Sequence, residues 1–166
     1  MLQQCETKVS QSEHKPVDEH FNEVLMSSSS DKNFQLVLAS RSEAIEEIER
    51  LAADAAIIAD FSQEEQDSLA IAVTEIANNA VVHGNKRDPS KKVFVNIAVN
   101  GGEVRMTIRD QGIGFDPDKL SNPLDPENLL RESGRGVFIV RSLMDEVLYD
   151  FSKGGTEVTI IKRRKK

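Results

Sequence analysis

Val93, Val95, Ile97 and Val99 alternate with polar or small residues, and Val104, Met106 and Ile108 do the same beyond Asn100-Gly101. A period of two puts each set on one face of a strand. Asn-Gly between two such runs is a strong signal for a two-residue hairpin turn. A hairpin patterned in this way carries one continuous apolar face. That face demands further strands beside it and a layer of helices over it.

The rest of the chain supplies both. Phe34 to Ala39 alternates as a strand. Ser40 or Ser42 offers an N-cap for a helix reaching about Ala59, with Ala44, Ile48, Leu51 and Ala55 on one side. Ser62 and Glu65 have the spacing of a capping box. They open a second helix through Leu69, Val73, Ile76 and Ala80, which ends near His83-Gly84, where glycine suits a left-handed C-cap. Gln111 to Ser133 reads as a loop with a short helix from Pro126 to Leu130. A helix from about Arg135 to Met144 follows, then a closing hairpin of Val147–Phe151 and Thr156–Ile161. This order predicts an α+β two-layer sandwich, a mixed but mostly antiparallel sheet with helices on one face.

Residues 1–32 are rich in Gln, Glu, Ser and Lys and contain the run Ser27-Ser28-Ser29-Ser30. They bury too little apolar surface to offset ordering entropy, so a flexible tail is expected there. Residues 33–166 form the single domain. The formal net charge of -7 argues against direct nucleic-acid binding as the main task. The terminal Lys162-Arg163-Arg164-Lys165-Lys166 reads as a solvated end, and Arg50 as part of a solvated helix face. A lone cysteine, Cys5, permits no internal disulfide and suits a reducing compartment. With no leader pattern and no run of about 18 apolar residues, the expected setting is the cytoplasm, without a membrane span.

Four short segments carry chemistry. Glu75, Asn79 and His83 stand at four-residue intervals and share one helix stripe, about 100° from the apolar one. A carboxylate and an amide oxygen one turn apart suit a hard cation and a proton transfer. Asp110 in Asp110-Gln111-Gly112-Ile113-Gly114-Phe115 falls on the core face of its strand, where an ionised carboxylate needs a partner such as a ligand amino group. Ser133-Gly134-Arg135-Gly136 precedes a helix, whose first N–H groups attract anions. Thr156, after Gly155, shares a strand face with Val158 and Ile160.

Taken together and in this order, these segments resemble the boxes of the GHKL (Bergerat-fold) ATPases. Glu75-Ile76-Ala77-Asn78-Asn79-Ala80 with His83-Gly84 is similar to their N box, Asp110 to Phe115 to the G1 box, and Gly134-Arg135-Gly136 to the G2 box. Gly155-Thr156 matches the threonine of their last strand. The stretch Leu129 to Val147 is most similar to the anti-sigma factor serine/threonine kinase branch. The resemblance implies ATP and Mg²⁺ as cofactors. Asn79 is then the magnesium ligand, Glu75 the general base, and Asp110 with Thr156 the adenine contact. Gly112 and Gly114 line the adenine pocket; Ser133, Gly134, Arg135 and Gly136 cover the phosphates; His83 lies near ribose and phosphate.

The resemblance further implies a homodimeric kinase. It phosphorylates a small STAS-type anti-sigma antagonist and sequesters a sigma factor. A nucleotide-gated binding module with little transfer, or a histidine-kinase-type catalytic domain acting on a separate chain, are the alternatives.

Overall fold

The computed structural model describes residues 32–114 and 135–165. The tail expected over 1–32, the short helix at 126–130, and Ser133 and Gly134 lie outside the described residues, except that Lys32 already belongs to the first strand.

Five strands form one sheet: β1 (Lys32–Ala39), β2 (Lys92–Asn100), β3 (Glu103–Arg109), β4 (Glu146–Asp150) and β5 (Glu157–Arg163). Their spatial order is β1-β2-β3-β5-β4, and all four pairings are antiparallel. The central register sets Val95 opposite Ile108 and Ile97 opposite Met106, all buried on the inner face. Asn100 still pairs with Glu103, so the turn is Gly101-Gly102 and not Asn100-Gly101. Both glycines have positive φ, 54° and 88°, which a tight primed turn demands. Two adjacent glycines fill both left-handed positions at little steric cost, and Asn100 remains in the ladder.

Three helices cover the inner face: α1 (Ser42–Ile58), α2 (Gln63–Asn78) and α3 (Arg135–Leu143). The first lacks the predicted serine cap. Its N-cap is Arg41 with no side-chain bond, and Ser40 is fully buried with its hydroxyl facing the Val81 carbonyl at 3.5 Å. Ala44, Ile48, Ala52, Ala55 and Ala56 are its buried stripe, with Leu51 half-buried beside them. The small residues let α1 lie close to α2. At the start of α2 the Ser62 hydroxyl accepts from the Glu65 N–H while the Glu65 carboxylate accepts from the Ser62 N–H, the predicted capping box. Leu69, Val73 and Ile76 then enter the core against the sheet. Burial of each such side chain stabilises the fold by about 2 kcal/mol.

Past Asn78 the backbone widens into one π-helical turn, Asn79–Gly84. The chain leaves it through Asn85, not through a left-handed Gly84; the left-handed residues are Lys86 and Arg87, φ 60° and 55°. Asn85 is wholly buried and makes this exit possible. Its Oδ1 accepts the Gln111 N–H at 2.8 Å, and its Nδ2 donates to the Lys92 carbonyl at 2.9 Å. One amide thus ties the π turn to the start of β2 and the exit of β3.

Within the basic C-terminal run Arg163, Arg164 and Lys165 are exposed as expected, whereas Lys162 is not part of a solvated end. Lys162 is buried and donates to the Leu143 carbonyl at 2.7 Å, at the end of α3. Arg163 pairs with Glu103 and Glu146, and Arg164 with Asp60. The Lys165 N–H reaches Glu65 at the head of α2. Arg50 does sit on an exposed helix face, paired with Glu47 and Asp54. No helix among the described residues is long and apolar enough to cross a membrane.

Candidate functional site

A cavity of about 650 Å³ opens between α2, the π turn, α3 and the β3–β5 end of the sheet. Glu75, Asn79, His83, Asp110, Gly114, Arg135, Gly136 and Thr156 all line it. Residues drawn from four places in the sequence therefore meet at one hollow of a size suited to a nucleotide.

Asp110 forms the polar end. It extends the inner-face series of Val104, Met106 and Ile108, as its period predicts, and only 3% of it is exposed. Its Oδ1 accepts two backbone N–H groups, from Gly112 at 2.7 Å and Thr156 at 3.1 Å, and its own N–H donates to the Thr156 carbonyl. Two N–H donors offset the desolvation of a buried carboxylate. Thr156 is buried and engages Asp110 through its backbone N–H and carbonyl. Gly155, at φ 86°, passes so close to Asp110 that a β-carbon there has no room. Gly112 is not among the residues lining the cavity, and a β-carbon on it would stand 2.5 Å from the Gly84 carbonyl oxygen.

Glu75 and Asn79 form the second polar group, both half-buried on the last turn of α2 and the first residue of the π turn. The Asn79 N–H bonds to the Glu75 and Ile76 carbonyls, so the local helix fixes their spacing. The head of α3 closes over them. A β-carbon on Gly136 would stand 2.6 Å from Glu75 Oε2 and 3.7 Å from Asn79 Nδ2, so a larger residue there would push the Glu75 carboxylate aside. Arg135 and His83, both exposed, also line the cavity.

Among the described residues no group of three or more His, Cys, Asp or Glu side chains could hold a metal by itself. Glu75 and Asn79 instead offer two hard oxygen donors on one wall, which fits a magnesium ion held mainly by substrate phosphates and water.

The motifs did not point to Lys86 or Tyr149, which also line the cavity. Lys86 owes its place to the left-handed backbone after the π turn, a feature with no periodic signature. Tyr149 lay in plain view as an alternate residue of a predicted strand, but with no motif to mark it. Burial pushes its phenol above the ordinary tyrosine range, an effect that the nearby Arg141 opposes.

The antiparallel sheet, the helical layer over it and the cavity between them have the form of a nucleotide-binding domain. Residues 38–162 match the family model described as the histidine kinase-like ATPase domain, and the chain belongs to that family, with the anti-sigma factors among its members. It is 36% identical over 108 residues to an anti-sigma F factor of Anoxybacillus flavithermus, covering 62% of this chain and 73% of that protein. It is 38% identical over 90 residues to one from Geobacillus thermodenitrificans, covering 51% and 60%, and 34% identical over 119 residues to one from Bacillus cereus, covering 69% and 79%. In fold it is similar to the crystal structure of the RsbU and RsbW domains of a Mycobacterium tuberculosis protein, with a TM-score of 0.55 and 20% identity. That similarity spans 79% of this chain but 32% of the other.

Proposed function

We propose that this protein is an ATP-dependent serine/threonine kinase and anti-sigma factor of the cytoplasm. It phosphorylates a small STAS-type antagonist and sequesters a sigma factor when the antagonist is modified. The observation that carries this reading is the pairing, in one cavity, of a buried Asp110 end with a Glu75–Asn79 end. The similarity to anti-sigma F factors supports the choice of partners.

Asp110 accepts a hydrogen bond from the exocyclic amine of adenine, held for that task by the N–H groups of Gly112 and Thr156. The polyphosphate then runs toward Asn79, Arg135 and the head of α3, where helix N–H groups and a guanidinium meet anionic oxygens. Asn79 would hold Mg²⁺, which when bound neutralises phosphate charge during transfer. Glu75 takes the proton from the acceptor serine hydroxyl. The serine oxygen forms its bond to the γ-phosphorus as the bond to the β–γ bridging oxygen breaks, and ADP leaves.

A homodimer fits the surface. β1 is one of the two edge strands of the described sheet, and a shallow groove lined by Phe34, Leu51, Asp54, Ile57 and Ile58 lies beside it. A second copy against this edge would cover both.

Incubation with labelled ATP and a candidate antagonist tests the kinase. The expected product is acid-stable phosphoserine or phosphothreonine on the antagonist. Glu75→Ala is expected to retain ATP binding and lose transfer. Acid-labile phosphohistidine, or undiminished transfer by Glu75→Ala, would overturn the assignment.

A further inference from the structure

Tyr149 occupies the inner face of β4, directly opposite Val158 on β5. Two residues before Val158, just ahead of β5, is Thr156, whose N–H holds the Asp110 carboxylate. The tyrosine therefore stands one strand across from the polar end of the cavity, and it lines that cavity together with Thr156 and Val158. Its ring is partly buried, packed against the core and bordering the cavity. The Arg141 guanidinium, from the last turn of α3, lies over the ring at 5.7 Å from its centroid. This contact couples the aromatic wall to the helix that roofs the cavity.

We propose that Tyr149 forms an aromatic wall of the base-binding end, stacking against the flat heteroaromatic ring of a bound nucleotide and favouring such ligands over bare polyphosphate. The proposal rests on the nucleotide reading of the cavity and deepens it. Stacking against an aromatic side chain is tolerant of ring chemistry, because every base has a π face. In this arrangement Asp110 selects the amino group and Tyr149 supplies the surface on which the ring lies. The two residues divide recognition between hydrogen bonding and stacking.

The composition gives a direct test. Tyr149 is the one tyrosine in a chain without tryptophan, so intrinsic tyrosine emission reports on this ring alone. Titration of the full-length protein with magnesium ADP is expected to change that emission, with a midpoint matching the affinity from calorimetry. Inorganic tripolyphosphate is expected to leave it unchanged. Tyr149→Phe should bind ADP within about twofold of the parent, and Tyr149→Leu should bind about tenfold more weakly, with an unchanged far-ultraviolet circular dichroism spectrum.

Normal binding heat with an unmoved emission signal would overturn the stacking role and leave the nucleotide site standing. Parental affinity in Tyr149→Leu would do the same. Absence of heat with any nucleotide would overturn the site itself and the wall with it. If Tyr149→Leu fails to fold, the parent's emission titration still decides.

Discussion

A β-carbon on Gly84 would stand 2.5 Å from Asp110 Oδ2 and 2.6 Å from its Cγ. The end of the π turn and the end of β3 are therefore in contact with no room for even a methyl group. This glycine is needed for what it touches and not for its backbone angle, since its φ is not in the left-handed region. Gly84→Ala should displace Asp110 from the Gly112 and Thr156 N–H groups. Overpacking of this kind costs about 1–3 kcal/mol. We expect a lower melting temperature and at least a tenfold loss of magnesium ADP affinity by calorimetry. Unchanged affinity would mean that Asp110 shifts without consequence for the ligand.

Asp110→Asn tests the polar end without adding bulk. The amide oxygen must stay where Oδ1 now accepts two N–H groups, or those donors lose their acceptor. The amide NH₂ is then left to face the ligand, donor against the donor of adenine. Loss of a hydrogen bond to a charged partner costs about 1.5–3 kcal/mol, roughly 10- to 100-fold in affinity. Inosine nucleotides, which present an acceptor at that position, should lose much less. Calorimetry with ADP and IDP checks this, and an equal loss for both would point to a damaged fold.

Hydrogen bonds from the Lys165 and Ser62 backbone N–H groups hold the Glu65 carboxyl below its ordinary range. The folded pKa is thus lower than the unfolded one. The resulting stabilisation is complete above the ordinary glutamate pKa of about 4.3 and fades as the pH falls through it toward the folded value. Glu65→Gln should lower the melting temperature at neutral pH. The gap from the parent should then close as the pH drops below about 4. Melting curves across an acid series test this; a gap that is constant with pH would exclude the ionised form as the stabilising one.

Much of this fold was legible because its signals are local. The capping box of Ser62 and Glu65 is three residues apart, and the alternation through Ile108 carried Asp110 to the inner face without any knowledge of tertiary structure. The features that escaped depend on distant partners. A π turn differs from an α-helix by one shift in bonding, and the Asn85 amide that supports it bonds to Lys92 and Gln111. Lys162 looked like one of five terminal cations, yet its acceptor is the Leu143 carbonyl, 19 residues earlier. The turn at Gly101-Gly102 was misplaced by one residue because Asn-Gly and Gly-Gly are both good turn pairs, and only the cross-strand register decides between them.

Lys162 links the C-terminal strand to the roof of the site. Its ammonium caps the C-terminal carbonyl of α3, where a cation also complements the helix dipole. The same helix carries Arg135 and Gly136 at the cavity wall and Arg141 over Tyr149. Lys162→Met keeps a long apolar stem in the buried position but leaves the Leu143 carbonyl without its donor. The expected cost is about 2 kcal/mol, the scale of a charged hydrogen bond, read as a lower denaturation midpoint at unchanged slope. If the cap also sets the angle of α3, magnesium ADP affinity should fall several-fold while binding of the base end, followed with adenosine, stays as in the parent. A variant that loses stability but binds both ligands normally would confine Lys162 to the scaffold.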